Sequence, residues 1–201
     1  MKKSTKLLAT SLLATFLLMT VAFTQPPDKP AKPAMSRGEY LVTVAGCHDC
    51  HSPKVFTPKG PMPDMTKPFS GAPAEAKLPE VPKGTIAPDK WGALTTNDLT
   101  TWAGPWGVSY AFNLTPDKET GLGYWKAETF KAAMRTGKHQ GTGRDILPPM
   151  PWFNLALMTD ADLDAIFAYL QSLKPIKNAV PTPLSPMDIG VTPPGPPPSG
   201  K

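Results

Sequence analysis

Five consecutive residues hold most of the chemistry visible in this 201-residue sequence: Cys47-His48-Asp49-Cys50-His51. Two thiols three positions apart, with an imidazole directly after the second, form the C-x-x-C-H pattern that attaches a c-type haem. The order has a geometric reason. Two intervening residues put both sulfurs on one side of a single turn, where they face the two vinyl edges of the porphyrin. The next residue can then swing its imidazole under the ring, and a shift of one position would carry the nitrogen past the iron. Cys47 and Cys50 are therefore the expected covalent attachment residues, and His51 is the expected proximal iron ligand. The expected cofactor is one covalent haem c per chain.

Three other uses of these residues fit less well. A thiol redox pair usually follows a strand in a βαβ setting, and no strand alternation precedes Cys47. A zinc site would need four ligands from five consecutive residues, which cannot surround one ion tetrahedrally. A disulfide between Cys47 and Cys50, the only 2 cysteines, is sterically poor within one helical turn.

An electron carrier usually closes the other face of the iron with Met or His. His48 is trapped in the motif, so His139 is the one remaining histidine. Of the 9 methionines, Met35 precedes a helix, Met62 and Met65 lie in a Pro-rich segment, and Met134 and Met158 sit at core-like positions. Met150 stands between Pro149 and Pro151. Prolines on both sides restrict the backbone and hold a thioether at little entropic cost. Met150 is the expected second axial ligand; the competing reading has Met150 only packing, with His139 or nothing on the iron.

The elements that must position these residues can be read around them. Met1-Lys2-Lys3 and Lys6 precede an apolar run from Leu7 to Phe23, which reads over residues 1–25 as a secretory signal or a retained anchor. Either places the remainder outside the cytoplasmic membrane, in the periplasm or an equivalent compartment. Residues 26–35 read as a linker. Ser36 is the expected N-cap of a helix over Arg37–Val44, and Gly46 turns the chain into the motif. A second helix is expected over about Lys126–Thr136 with Gly137 at its end, and a third after the N-cap Thr159, with Leu163, Ile166, Phe167 and Leu170 as its stripe. Between them, about 52–95 holds many of the 27 prolines and reads as an extended surface loop. Trp91 to Leu114 reads as a rigid aromatic loop, and residues 176–201 as a Pro-rich tail without a core.

A helix running into C-x-x-C-H, a middle helix, a Pro-flanked Met and a final helix resemble a class I cytochrome c. The stretch Asn113-Leu114-Thr115-Pro116-Asp117-Lys118-Glu119-Thr120-Gly121-Leu122-Gly123-Tyr124-Trp125 is similar to segments in cytochrome c subunits of periplasmic alcohol dehydrogenases. The resemblance runs from Arg37 to about Lys174. It implies an all-α fold, with a few short helices around the haem and a long Pro-rich loop insertion, in a domain spanning 36–175. It also implies that the first and last helices cross, with Gly38 and Tyr40 meeting Phe167 and Leu170. Haem propionates would need donors, for which Trp106, Tyr110, Asn113, Arg135 and Arg144 are candidates; Arg144 is preferred because it opens the Met150 loop. Two departures stand out. Those subunits commonly carry three haem motifs against one here, and the insert after the motif is longer than in minimal cytochromes.

The expected function is electron transfer between a redox protein donor and acceptor, with no catalytic residues. The alternatives are a haem subunit of a dehydrogenase or oxidase complex, and an open-site haem enzyme or gas sensor. The formal charge of +5 is held partly by Lys2, Lys3 and Lys6; without them 18 basic residues face 16 acidic ones. That balance gives no argument for nucleic acid.

Overall fold

The computed structural model describes residues 35–87 and 89–191. The expected signal or anchor, nearly all of the linker, and residues 192–201 of the expected tail lie outside the described residues. No described helix is long and apolar enough to cross a membrane.

Three helices build the main core. Helix α1 (Arg37–Val44) starts at Ser36, whose hydroxyl accepts from the Glu39 N–H at 3.2 Å. Helix α3 (Ala127–Thr136) ends at Gly137, which takes the left-handed conformation at φ 67°. Helix α5 (Asp160–Gln171) is capped by Thr159, whose hydroxyl accepts from the Asp162 N–H. Each presents a stripe at helical spacing. Leu41 and Val42 of α1, Phe130, Ala133 and Met134 of α3, and Leu163, Ile166 and Leu170 of α5 share one buried cluster with Phe69 and Leu122. Ion pairs fasten the start of α5 to its neighbours: Arg37 to Asp162 at 2.8 Å and Arg135 to Asp160 at 2.7 Å. Between α1 and α3 lies α2 (Cys47–His51), one turn entered through left-handed Gly46. A further turn, α4 (Trp152–Leu155), precedes α5.

The expectation of an all-α fold is overturned. Two antiparallel sheets stand beside the five short helices of the described residues. Strands β1 (Lys54–Thr57) and β2 (Gly60–Pro63) form a hairpin inside the segment read as a loop. Strands β3 (Leu94–Thr95), β4 (Thr101–Gly104) and β5 (Gly107–Tyr110) form a second sheet from the segment read as an aromatic loop. Proline rules out helices and central strands, but a two-stranded ribbon has only edges, where a missing N–H faces solvent. Pro61 and Pro63 of β2 use that allowance. In the second sheet, Thr101, Trp102, Val108 and Tyr110 are β-branched or aromatic residues suited to a pleated surface.

The chain after Ile176 is also corrected, as far as it is described. Leu184 pairs with Val108 across the open edge of β5. Val191 joins Ile86, Ala103 and Val108 in a second buried cluster. The Asn178 side chain donates to the carbonyls of Ser70 and Ala72 and accepts from the Ala74 N–H. This segment covers a sheet edge that would otherwise template aggregation.

Helices α1 and α5 do meet at Gly38. A Cβ there would overlap the Ala165 carbonyl oxygen and crowd Tyr169. Tyr40 is not part of that contact: it is exposed, with the Arg37 guanidinium 5.8 Å from its ring centre. Because the obstacle at Gly38 is backbone, Gly38→Ala should cost about 1–3 kcal/mol. Gly92, with open space around it, should tolerate alanine within about 0.5 kcal/mol. Denaturant midpoints of the two variants test this.

Candidate haem centre

His51 is buried, and its Nδ1 lies 2.8 Å from the carbonyl oxygen of Phe112. A carbonyl only accepts, so Nδ1 is the protonated nitrogen and Nε2 keeps a free lone pair. Burial pushes the His51 pKa down and favours the neutral ring. A neutral imidazole with its second nitrogen anchored is the form that binds a metal.

The two thiols share the same turn and are not joined. Burial raises both pKa values, that of Cys47 to about 11. Asp49 adds to the effect at each. A redox C-x-x-C pair instead depends on a depressed thiolate pKa in an electropositive setting, and this environment has the opposite character. Among the described residues no three His, Cys, Asp or Glu side chains converge to hold a bare metal ion. A buried neutral imidazole beside two protonated thiols, on a single turn, fits a covalently attached haem.

The turn is held from outside. Lys54 Nζ donates to the carbonyl oxygens of His48 at 3.1 Å, Asp49 at 2.9 Å and Ser52 at 2.5 Å. These are carbonyls that a helix end leaves without partners, and a cation suits that end of the dipole. The His48 ring lies 3.9 Å from that of Phe69, and its Nδ1 pairs with Ser52 Oγ, which also accepts from the Phe69 N–H. The Gly71 N–H donates to the His51 carbonyl. The Trp102 indole lies against the Cys50 thiol. Lys54, Phe69, Trp102 and the Phe112 carbonyl are site residues that the sequence does not single out. The run of aromatics around Trp102 is a signal, but a backbone carbonyl has no side-chain signature.

Met150 is half-buried and packs on the main core, as Cys47 does. Its N–H donates to the Leu147 carbonyl, and its own carbonyl accepts from Trp152. Ser109 Oγ donates to the Pro148 carbonyl at 2.5 Å and accepts from Trp106 Nε1 at 3.3 Å. Ser109 on β5 thus holds the Met150 loop, and Phe112, three residues further, holds His51. His139 is clasped edge-to-face by Phe112 and Trp125, with ring centres 5.4 and 5.3 Å away.

The other candidates separate by partner. Arg135 bonds to Asp160 and to the carbonyls of Ala156 and Met158. Fully buried Asn113 holds Thr115 and the Ile176 carbonyl. Trp106 is engaged with Ser109, and Tyr110 packs on the second cluster. Arg144 is exposed at the mouth of the Met150 loop; its one bond is to the Asp145 carbonyl, and no described carboxylate pairs with it. Of the five, it alone keeps most of its donors for an anion.

No protein-family model matches the chain. A stretch of 77 residues, 38% of the chain, is 40% identical to part of a nicotinate dehydrogenase from Pseudomonas putida, covering 6% of the matched polypeptide. The gluconate 2-dehydrogenase cytochrome c subunit of Pantoea cypripedii is 30% identical over 182 residues, which are 87% of this chain and 32% of that one. The cytochrome c subunit of the quinone alcohol dehydrogenase of Gluconobacter oxydans is 28% identical over 167 residues, 82% and 27% of the two chains. The homologues that match most of this chain are cytochrome c subunits of dehydrogenases. The chain spans about a third or less of the length of these relatives.

Burial and the nearby Arg144 hold the His139 pKa below its usual 6.5. The unfolded chain then binds a proton near pH 6.5 that the folded chain refuses, so stability falls as pH drops through that value towards the folded pKa. His139→Phe should flatten the stability profile between about pH 5 and 7, as checked by denaturation at a series of pH values.

Proposed function

We propose that this chain is an electron-transfer protein carrying one haem c. Cys47 and Cys50 provide the covalent attachment, and His51 and Met150 the axial ligands. The observation that carries the reading is the His51–Phe112 bond, which leaves a neutral Nε2 free on the turn that bears two protonated thiols. The haem, when bound, supplies a one-electron couple. The protein's residues hold it and keep its surroundings from rearranging. Phe112 orients the imidazole, Lys54 clamps the turn, and Ser109 restrains the Met150 loop. A neutral thioether favours the reduced iron more than a second imidazole does and so raises the potential. The aromatic clasp on His139 supports Met150 as the second ligand. Arg144 is assigned to a propionate, because its guanidinium has no carboxylate partner among the described residues.

A second reading is favoured by the relatives: the chain serves as a haem-bearing subunit or segment of an extracytoplasmic dehydrogenase complex. It would take electrons from a catalytic partner without being the catalyst itself.

Holo-protein made with the haem-attachment machinery should give a low-spin c-type spectrum when reduced. Met150→Ala should lower the reduction potential and open the reduced iron to rapid carbon monoxide binding. Ser109→Ala should shift both in the same direction by less. A reduced wild type without the low-spin band, or Met150→Ala with unchanged spectrum and potential, defeats the ligand assignment.

A further inference from the structure

The β1–β2 hairpin follows three residues after His51, and its first residue, Lys54, is the one that clamps α2. Backbone bonding also closes its base, where the Asp64 N–H donates to the Pro53 carbonyl. A short ribbon so mounted would be expected to carry polar side chains. Instead Val55 and Met62 face each other across the ladder at 45% and 50% exposure, and Phe56 and Met65 reach 66% and 67%. Phe56 also overhangs an open cavity of about 260 Å³ walled by Leu78, Thr101 and Tyr110, with Lys77 at its rim.

The charges around this patch have one sign available. Lys59, Lys67 and Lys77 are exposed, and no described carboxylate pairs with them. The nearby acids are spent internally. Asp64 accepts from the N–H and hydroxyl of Thr66, which holds its pKa down, and Asp98 accepts from Thr96 and Thr100. An apolar patch with a cationic rim complements a protein surface of apolar centre and carboxylate rim.

We propose that this hairpin is the docking surface for an acidic redox partner protein. The proposal rests on the electron-transfer reading above. Its position gives it a purpose: a partner seated on the ribbon lies beside the turn expected to hold the haem. The patch is small, which matches the weak, short-lived encounters of electron-transfer proteins rather than a permanent interface. An anionic membrane would meet the same chemistry, but it would bring no redox centre to the turn.

The test uses full-length holo-protein and stopped-flow oxidation of the reduced haem by an acidic blue-copper protein. The neutral oxidant p-benzoquinone serves as control. The wild-type rate should fall as salt rises. Lys59→Glu with Lys67→Glu should slow the protein reaction at least about tenfold and flatten its salt dependence. Phe56→Ser with Met62→Ser should slow it comparably at all salt concentrations. Both variants should keep the wild-type haem spectrum and benzoquinone rate. Variants that react with the blue-copper protein at the wild-type rate overturn the proposal. So does hairpin-dependent sedimentation with vesicles of equal phosphatidylcholine and phosphatidylglycerol, if the protein reaction is unaffected. A wild type without a reversible haem couple overturns the electron-transfer reading itself, and this proposal with it.

Discussion

A neutral imidazole has one lone pair, and the nitrogen that carries the proton decides where it points. In this protein the choice is made by a backbone carbonyl 61 residues away, when Phe112 accepts from His51 Nδ1. The rest of the structure can be understood as what is needed to keep that carbonyl in place. Its strand must be anchored, so β5 pairs with β4 on one edge and with Leu184 on the other. The turn that bears His51 must not drift, so Lys54 and the Phe69–Ala72 segment grip it. Because Ser109 also holds the Pro148 carbonyl, the loops of both expected ligands hang from one short stretch of chain. Three residues of extended backbone span about 10 Å, and a stiff spacer of that kind suits a centre whose two faces must not rearrange.

Two cores serve this arrangement differently. The helical cluster fixes the entry to the turn through α1 and the exit of the Met150 loop through α5. The smaller cluster, under Ile86, Ala103, Val108 and Val191, stiffens the sheet from the side away from the helices' own packing. Residues that looked dispensable, in a Pro-rich insert and a Pro-rich tail, supply that second cluster.

Legibility followed the range of the interactions. The three longer helices form where caps and periodicity indicated, because Ser36, Thr159 and Gly137 act within a turn of their own position. The chemistry of Cys47 to His51 was readable for the same reason. The sheets were misjudged. A strand is stable only against a partner, and a Pro-Gly-rich segment gives little local sign of whether that partner exists. Tyr40 illustrates a smaller error: its place on α1 was right, but which face meets α5 depended on Gly38, the one position where Ala165 can approach. Among the propionate candidates, the sequence could rank donor chemistry only. Partners decided the rest, with Arg135 engaged by Asp160 and Arg144 left with a single bond to its neighbour's carbonyl.

The sequence by itself determined the spacing of Cys47, Cys50 and His51, the Pro-flanked position of Met150, and the ends of α1, α3 and α5. These depend on covalent order and on contacts within a turn, which the chain carries wherever it goes. Only the tertiary structure decided the protonated nitrogen of His51, the protonated state of the thiols, and the pairing of the strands that hold them. Those depend on burial and on hydrogen bonds between residues far apart in the chain, which arise only once the backbone has closed around the site.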